Sequence, residues 1–466
     1  MAGLSARYAT ALAQCLGAAD PLPAGLCVAL SGGLDSSLLL ALSASLRGAR
    51  RLPRLRALHV DHGLHVDSAR WSGHCTMLAA RLDVPIEILR VDARPRDGES
   101  PEAAAREARY TALRARLDDG EMLLTAHHAD DQLEGVLLQW LRGGGLRAVA
   151  GMAPLRRFGP GWHARPLLGF TRAELAAEAA ATGLTWVDDP SNDDQRLDRN
   201  YLRHSVLPAL RTRWPAAART VGRVATQAAE ALAMEREIAR ADLGFAAEGA
   251  ALVHERLALL PAARRRWVLR YWLRALGLPV PSEATLASLE HDAARAADDR
   301  VPCTRWPGAR VHRYRGRLYA EAEAVAATVL PAGQWVAGGH FDLGPLGRLD
   351  LRATTGRGLS AARVGAGLEL VARPDGARFR PVHSAHRRPL RKWLQDRGVL
   401  PWRRAQLPLL VVGDEIVAVA DLAIADGWAA LDGEPGWVVE WQDRPPLTTA
   451  DVAAVKLDAM DGDARD

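Results

Sequence analysis

The chain has 466 residues, 48% hydrophobic and 25% charged, which excludes a single small module and a disordered chain and argues for about three domains. Sixty Lys+Arg against 55 Asp+Glu give a net charge of +5, and only two of the basic residues, Lys392 and Lys456, are lysine. Guanidinium binds phosphate in a bidentate fork and stacks on bases, so an Arg-rich, mildly basic chain is a nucleic-acid candidate, although genome composition gives the same bias.

Cys15, Cys27, Cys75 and Cys303 form no CxxC pair, so neither a zinc ribbon nor a disulfide framework is indicated. No run approaches the roughly 18 apolar residues of a membrane helix, and the first residues lack a basic start leading into an apolar stretch. The expectation is a soluble, cytoplasmic protein with no membrane partner. The sequence leaves monomer and homodimer both open.

Short apolar runs alternate with helix-length segments over the first part of the chain: Leu26–Leu30, Leu55–Val60, Val84–Val91 and Met122–Ala126. This rhythm predicts a parallel sheet covered by helices, with a ligand crevice at the carboxyl ends of the strands. From about Ala216 to Asp299, Ala, Arg and Leu at helical spacing predict a helical second domain. Ala309–Ala320 alternates apolar and basic residues around Gly316 and predicts a hairpin. Strand-like runs in Trp335–Ala353 and Leu368–Ala425 flank a basic segment and predict a small third α/β domain. Five Asp in Asp451–Asp466 predict a frayed acidic tail. The expected boundaries are 1–215, 216–334, 335–445 and a tail over 446–466.

Ser31-Gly32-Gly33-Leu34-Asp35-Ser36 follows the first strand and opens a helical stretch. Two glycines let the backbone approach a ligand closely, and hydroxyls with N–H groups at a helix start make an anion site, most naturally for phosphate. A Walker loop is excluded because the chain has no Gly-Lys pair. Asp35 beside phosphates makes sense if it holds Mg²⁺. Taken alone, the hexapeptide reads equally well as a strand-to-helix turn with an Asp or Ser cap.

His59-Val60-Asp61-His62-Gly63-Leu64 ends the second strand, where a polar pair can border an adenine or simply make a Gly turn. Arg106 and Arg109 share one face of the helix begun by Pro101 and can reach phosphate or merely be solvated. His127-His128-Ala129-Asp130-Asp131-Gln132-Leu133-Glu134 follows the fourth strand. Its Asp131 and Glu134 project from one helix face, and two anions beside a nucleotide demand a cation, either Mg²⁺ or the ammonium of a small substrate. The spacing is not the helical H-E-x-x-H of a zinc site.

Residues 31–36 match, one for one, the SGGxDS loop of the PP-loop ATP pyrophosphatase superfamily, whose members cleave ATP between the α- and β-phosphates to adenylate a substrate. Further blocks resemble the tRNA(Ile)-lysidine synthase family in the right order. These are His59–Leu64, Glu102–Tyr110, the HxxDDxxET block at His127–Glu134 with Gly135 where Thr is usual, Arg142–Leu146 with Gly151-Met152, and Arg165–Leu168. Asp188–Asn192, Arg199–Arg203 and Leu207-Pro208 follow, then Arg373–Gly376, Leu390–Gln395 and Pro401–Arg404. The resemblance implies an α/β fold: a Rossmann-like parallel-sheet PP-loop domain, a helical domain and a small C-terminal α/β domain.

It also implies an enzyme that uses ATP and Mg²⁺ to adenylate the wobble cytidine of the isoleucine tRNA with a CAU anticodon at carbon 2. Free L-lysine then displaces AMP to form lysidine, so that AUA is read. In that scheme Ser31, Gly32, Gly33, Leu34, Asp35 and Ser36 cradle the phosphates, Asp61 borders the nucleotide, Arg106 neutralises phosphate and Asp35 holds the metal. Asp131 and Glu134 face the lysine ammonium groups, and Asp131 or His128 is a candidate base by location. Methionine tRNAs share the unmodified anticodon, so more of the tRNA must be read through basic surface. Arg199, Arg203, Arg378, Arg380, Arg391, Lys392, Arg403 and Arg404 are the candidates, interleaved with Phe379, Trp393 and Trp402, which can stack on bases or fill a core. The rival readings are a PP-loop tRNA cytidine 2-thiolating enzyme, which would need the missing CxxC, an amide-forming synthetase, which would leave the basic third unexplained, and a non-catalytic nucleotide-dependent RNA-binding protein.

Overall fold

Strands buried on both faces must carry apolar side chains in both directions, and the first strand shows how. Leu26 and Val28 enter one hydrophobic core with Leu55, Ala57, Met122 and Leu124, while Cys27 enters the opposite core with Leu58, Leu123, Tyr110 and Phe158. The computed structural model describes residues 3–47, 53–63, 67–95, 101–188, 197–295, 301–335, 339–365 and 367–457. The chain forms two compact units, divided between Met234 and Glu235.

The first unit runs α1 (Leu4–Gly17), β1 (Gly25–Ala29), α2 (Leu34–Ser45), β2 (Arg54–Asp61), α3 (Ser68–Arg81), β3 (Ile86–Arg90), α4 (Pro101–Ala115), β4 (Glu121–Leu124) and α5 (Ala129–Leu141). It continues through α6 (Leu146–Ala150), β5 (Leu155–Phe158), β6 (Gly161–Ala164), α7 (Arg172–Ala181), α8 (Asp198–Tyr201), a π-helical turn (Leu202–Val206) and α9 (Leu207–Arg213), then enters the long α10 (Ala217–Ala246). The sheet order is β3-β2-β1-β4-β6-β5, parallel except for the β5–β6 hairpin. All four expected strands are present within a residue or two. The chain winds outward from β1 to β3 and returns to place β4 on the other side of β1, so the crevice opens beyond the ends of β1 and β4.

In the second unit, β7 (Ala247–Glu248), β8 (Ala251–Val253), α11 (His254–Ala258), α12 (Ala262–Ala275), α13 (Glu283–Arg295), β9 (Cys303–Trp306), β10 (Ala309–Tyr314) and β11 (Arg317–Ala322) form helices on a five-stranded antiparallel sheet, order β7-β8-β11-β10-β9. The expected helices are there and make up most of residues 216–299, and the sheet they pack with is built largely from the strands that follow. The expected hairpin is the middle of this sheet, and its two-residue turn, Arg315 (φ 48°) and Gly316 (φ 69°), has both residues left-handed, as a tight hairpin requires. The C-terminal part packs two antiparallel sheets and the helix Leu390–Asp396 around a core containing Phe379, Trp393, Leu410 and Trp441.

The tail is better anchored than its composition predicts. Leu447 is fully buried, and Asp451 forms a capping box with the N-cap Thr448 of the helix Thr449–Ala454 and pairs with Arg444 at 3.0 Å. The remaining acids of the tail, from Asp458 on, lie outside the described residues. Among the described residues no helix is long and apolar enough to cross a membrane.

Candidate active site

The loop between β1 and α2 is braced from within. Gly32 has φ +87°, and a Cβ there would lie 3.1 Å from the Cys75 Sγ, so the turn needs glycine. Ser36 Oγ accepts from the Ser31 N–H at 3.1 Å, lies 2.9 Å from Ser31 Oγ and donates to the Gly33 carbonyl at 3.1 Å. No side chain caps α2, so the N–H groups of its first turn are left to an incoming anion. Asp35 stands in that turn with Oδ1 buried and unpartnered and Oδ2 3.7 Å from His128 Nε2. A buried carboxylate oxygen without a partner is costly, and a cation shared with phosphate would satisfy it. Among the described residues no three His, Cys, Asp or Glu side chains are arranged to hold an ion, so phosphate and water would complete the shell of a Mg²⁺.

A cleft of about 590 Å³ lies at these strand ends, a volume typical of small-ligand sites. Ser31, Gly33, Asp35 and Ser36 line it together with Asp61, His62, Trp71, Arg109, Tyr110, Thr125, His127 and Asp131. Asp61 Oδ1 accepts from the Gly63 N–H at 2.9 Å and fixes the turn after β2. His59 is buried, its Nδ1 2.8 Å from the Leu30 carbonyl, and burial holds its pKa below the ordinary value. The phase of α4 separates its two candidate cations. Arg106 is exposed, its guanidinium 5.0 Å above the Tyr110 ring, and Arg109 is the arginine that lines the cleft.

His128 is the N-cap of α5. Its Nδ1 accepts from the Asp131 N–H at 3.3 Å while Asp131 Oδ2 accepts from the His128 N–H at 3.0 Å. Burial lowers its pKa, but Asp35, Asp131 and Asp130 outweigh burial and leave it raised. At 2% exposure and with one nitrogen spent on the cap, His128 is placed to hold the helix start rather than to take a proton from an incoming amine, which corrects its reading as a base.

Asp131 and Glu134 do lie together on α5, but they are not unpaired. Arg199 donates from Nε to Glu134 Oε2 and from Nη2 to Asp131 Oδ1, both at 2.9 Å. Arg203 donates to Glu134 Oε1 at 2.7 Å and Oε2 at 2.8 Å, and to Asp131 Oδ1 at 3.4 Å. Burial alone would raise the Glu134 carboxyl, and these guanidiniums reverse the shift and hold it below the usual range. The cation that two adjacent acids require is therefore supplied by the chain, and Arg199 and Arg203, expected on the RNA surface, face inward in this structure. Gly135 on the same helix has open space where a Cβ would stand, so packing does not demand glycine there. Of the separate Asp188–Asn192 block, residues 189–192 lie outside the described residues.

The C-terminal candidates divide. Arg378, Arg380, Arg391 and Lys392 are exposed and Arg404 is half-buried, donating to the Val399 carbonyl at 3.0 Å. Arg403 is 4% exposed, 2.5 Å from Glu321, and donates to Gln406 at 2.9 Å, so it is an internal ion pair and not an RNA contact. Phe379 and Trp393 pack edge to face in the core, and Trp402 is stacked on His312 at 4.1 Å, so none of the three is offered to a base.

Three groups were given no role by the sequence: Thr125 and His127, which line the cleft, and His163 behind them. His127 was visible as the first histidine after the fourth strand. His163 carries no local signal, because the β4–β6 pairing that brings it to Thr125 joins distant parts of the chain.

The arrangement of a Gly-rich loop, a helix start and an acid at the switch point of a parallel sheet is that of a PP-loop, ATP-using enzyme. Family models agree: a PP-loop domain matches residues 6–210, a TilS substrate binding domain 252–319 and a TilS substrate C-terminal domain 368–441. A tRNA(Ile)-lysidine synthase of Alkalilimnicola ehrlichii is 43% identical over 88% of this chain and 92% of its own. Proteins of the same name from Methylococcus capsulatus and Coxiella burnetii are 37% and 35% identical over 89% and 90% of this chain, and 95% and 93% of theirs. The chain belongs to the tRNA(Ile)-lysidine synthase family.

Proposed function

We propose that this enzyme ligates the side-chain amine of free L-lysine to carbon 2 of the wobble cytidine in the CAU-anticodon isoleucine tRNA. The carbonyl oxygen at carbon 2 attacks the α-phosphorus of ATP and pyrophosphate leaves. The lysine amine then forms the new carbon–nitrogen bond and AMP departs with that oxygen. The observation that carries the reading is the β1–α2 loop, whose uncapped helix start and open Asp35 oxygen fit a polyphosphate with a shared cation. Mg²⁺, held by Asp35 and the phosphates, would neutralise the charge on the leaving pyrophosphate.

The residues of the chain do the rest. The loop N–H groups and Arg109 bind the phosphates, Asp61 borders the nucleoside, and Asp131 and Glu134 close the acceptor side. For these acids to receive a lysine ammonium, Arg199 and Arg203 must yield some of their contacts. The free amine has a pKa of about 10.4, so a proton must leave it before attack, and Asp131, the member of the acid pair that lines the cleft, is the candidate to take it. The exposed arginines of the C-terminal part and Lys392 take tRNA phosphates. The tRNA and ATP place the reaction in the cytoplasm.

The test is incubation with ATP, Mg²⁺, labelled lysine and the tRNA transcript. We expect label in the tRNA and an equal release of AMP, with Asp35→Asn lowering turnover by about 10²-fold or more while the protein stays folded. Nucleotide binding without incorporation would favour a non-catalytic RNA-binding protein.

A further inference from the structure

A chain of hydrogen bonds runs from β6 to the cleft. The guanidiniums of Arg165 and Arg156 each lie 3.4 Å from His163 Nδ1. A guanidinium only donates, so Nδ1 is bare and the ring proton of His163 is on Nε2. That nitrogen is 2.8 Å from Thr125 Oγ1, which accepts its hydrogen bond and turns its own hydrogen toward His127 Nδ1, also at 2.8 Å. His127 must then carry its ring proton on Nε2. His163 is fully buried and boxed by the rings of Tyr110, Phe158 and His127 at 5.8, 5.6 and 6.5 Å, which fixes the orientation of its ring.

The surroundings keep the relay uncharged. Arg165 is 4% exposed with its Nε unpartnered, and burial pulls its pKa down to about 10. Burial first, and then Arg165 with neighbouring arginines, hold His127 and His163 far below the ordinary histidine value. Thr125 and His127 line the same cleft as Ser31, Asp35 and Arg109.

We propose that His127 is a catalytic residue that presents Nε2–H to the nonbridging oxygens of the reacting phosphates, and that Thr125, His163 and Arg165 are positioning residues that fix this tautomer. A neutral imidazole donates without surrendering its proton, so the bond persists as negative charge shifts onto the pyrophosphate. The proposal rests on the reading of the cleft as an ATP site.

Full-length protein labelled with ¹⁵N-histidine reports the tautomer directly, and His127→Gln identifies the His127 signals. We expect a bare Nδ1 and a protonated Nε2 that shifts when Mg·ATP is added. Thr125→Val should move His127 toward a tautomer mixture and cut the kcat for AMP release about tenfold with the KM for ATP within about twofold, and Thr125→Ser should restore both. His127→Ala should cost about 10²-fold in kcat and His127→Gln, which keeps an N–H donor, about tenfold. A proton on Nδ1, no response of Nε2 to Mg·ATP, or a Thr125→Val effect confined to KM would overturn the proposal. If the wild type binds ATP but never releases AMP, the ligase reading fails, and the Mg·ATP response alone decides whether His127 meets the phosphates.

Discussion

The acid–arginine cluster of the first unit and the Arg-rich stretch of the second use the same residue type to opposite ends. On α5, Asp131 and Glu134 gather Arg199 and Arg203 into one buried network at the cleft. In the C-terminal part the arginines spread out: Arg387 pairs with Glu415 at 2.9 Å and Arg388 with Asp396 at 3.1 Å at the surface, Arg403 is locked inside on Glu321, and Arg391 and Lys392 face solvent. What a guanidinium does is set by its desolvation. Buried, it is committed to a partner whose loss is costly; exposed, its ion pair is worth little and the charge stays available to a polyanion.

The sharpest way to break the comparison is to remove one partner from each buried pair. Glu134 is 1% exposed, and Glu134→Ala would leave two guanidiniums sharing the single carboxylate of Asp131. Urea denaturation should show a loss of about 3–5 kcal/mol, with lysine incorporation abolished. Arg403→Ala leaves Glu321 buried but still 3.0 Å from His312, so its loss should fall at the lower end, about 3 kcal/mol. A loss below about 1 kcal/mol in either would show that the pair is solvated.

Protonation should separate the two units by sign. His163 in the first unit stays neutral far below its unfolded pKa of about 6.5, so the unfolded chain binds the proton first. Its contribution is intact above that pH and falls by up to about 1.4 kcal/mol per unit as pH drops below it. His312 in the second unit is lowered by burial but raised further by Cys303 and Glu321, so its contribution is full below about pH 6.5 and is lost as pH rises through the raised value. Urea midpoints at pH 5.5, 6.5 and 8 for His163→Gln and His312→Gln, each against wild type, should therefore diverge in opposite directions. Parallel slopes would remove the electrostatic distinction.

Local chemistry explains what could be read in advance. The four strands, the Gly32 turn and the clustering of Asp131 with Glu134 follow from period, backbone sterics and helix spacing, all written within a few residues. Which arginine of α4 enters the cleft depended on helix phase against a core that includes Ala104, Tyr110 and Leu113, and spacing alone favoured Arg106 as much as Arg109. The inward turn of Arg199 and Arg203, the burial of Arg403 and the reach of His163 to Thr125 all depend on pairings between distant segments, which no local pattern encodes. Composition misled at the tail: Asp451 belongs to an acidic run yet is the N3 acid of a capping box with Thr448.

The smallest expected effect tests the exposed half of the comparison. Arg391 and Lys392 lie on the solvent side of the helix Leu390–Asp396, whose other face buries Leu390, Trp393 and Leu394. Substituting either by alanine removes no core contact, so stability should change by no more than about 0.5 kcal/mol. If each meets a tRNA phosphate, the slope of log affinity against log salt should flatten by up to about 1 per substitution, and affinity for lysine should not change. Arg403→Ala, measured where the variant remains folded, should leave that slope unaltered because its charge never reaches solvent. A flatter slope for Arg403→Ala than for Arg391→Ala would reverse the assignment, placing the RNA contact inside what is here an internal ion pair and requiring that pair to open when tRNA binds.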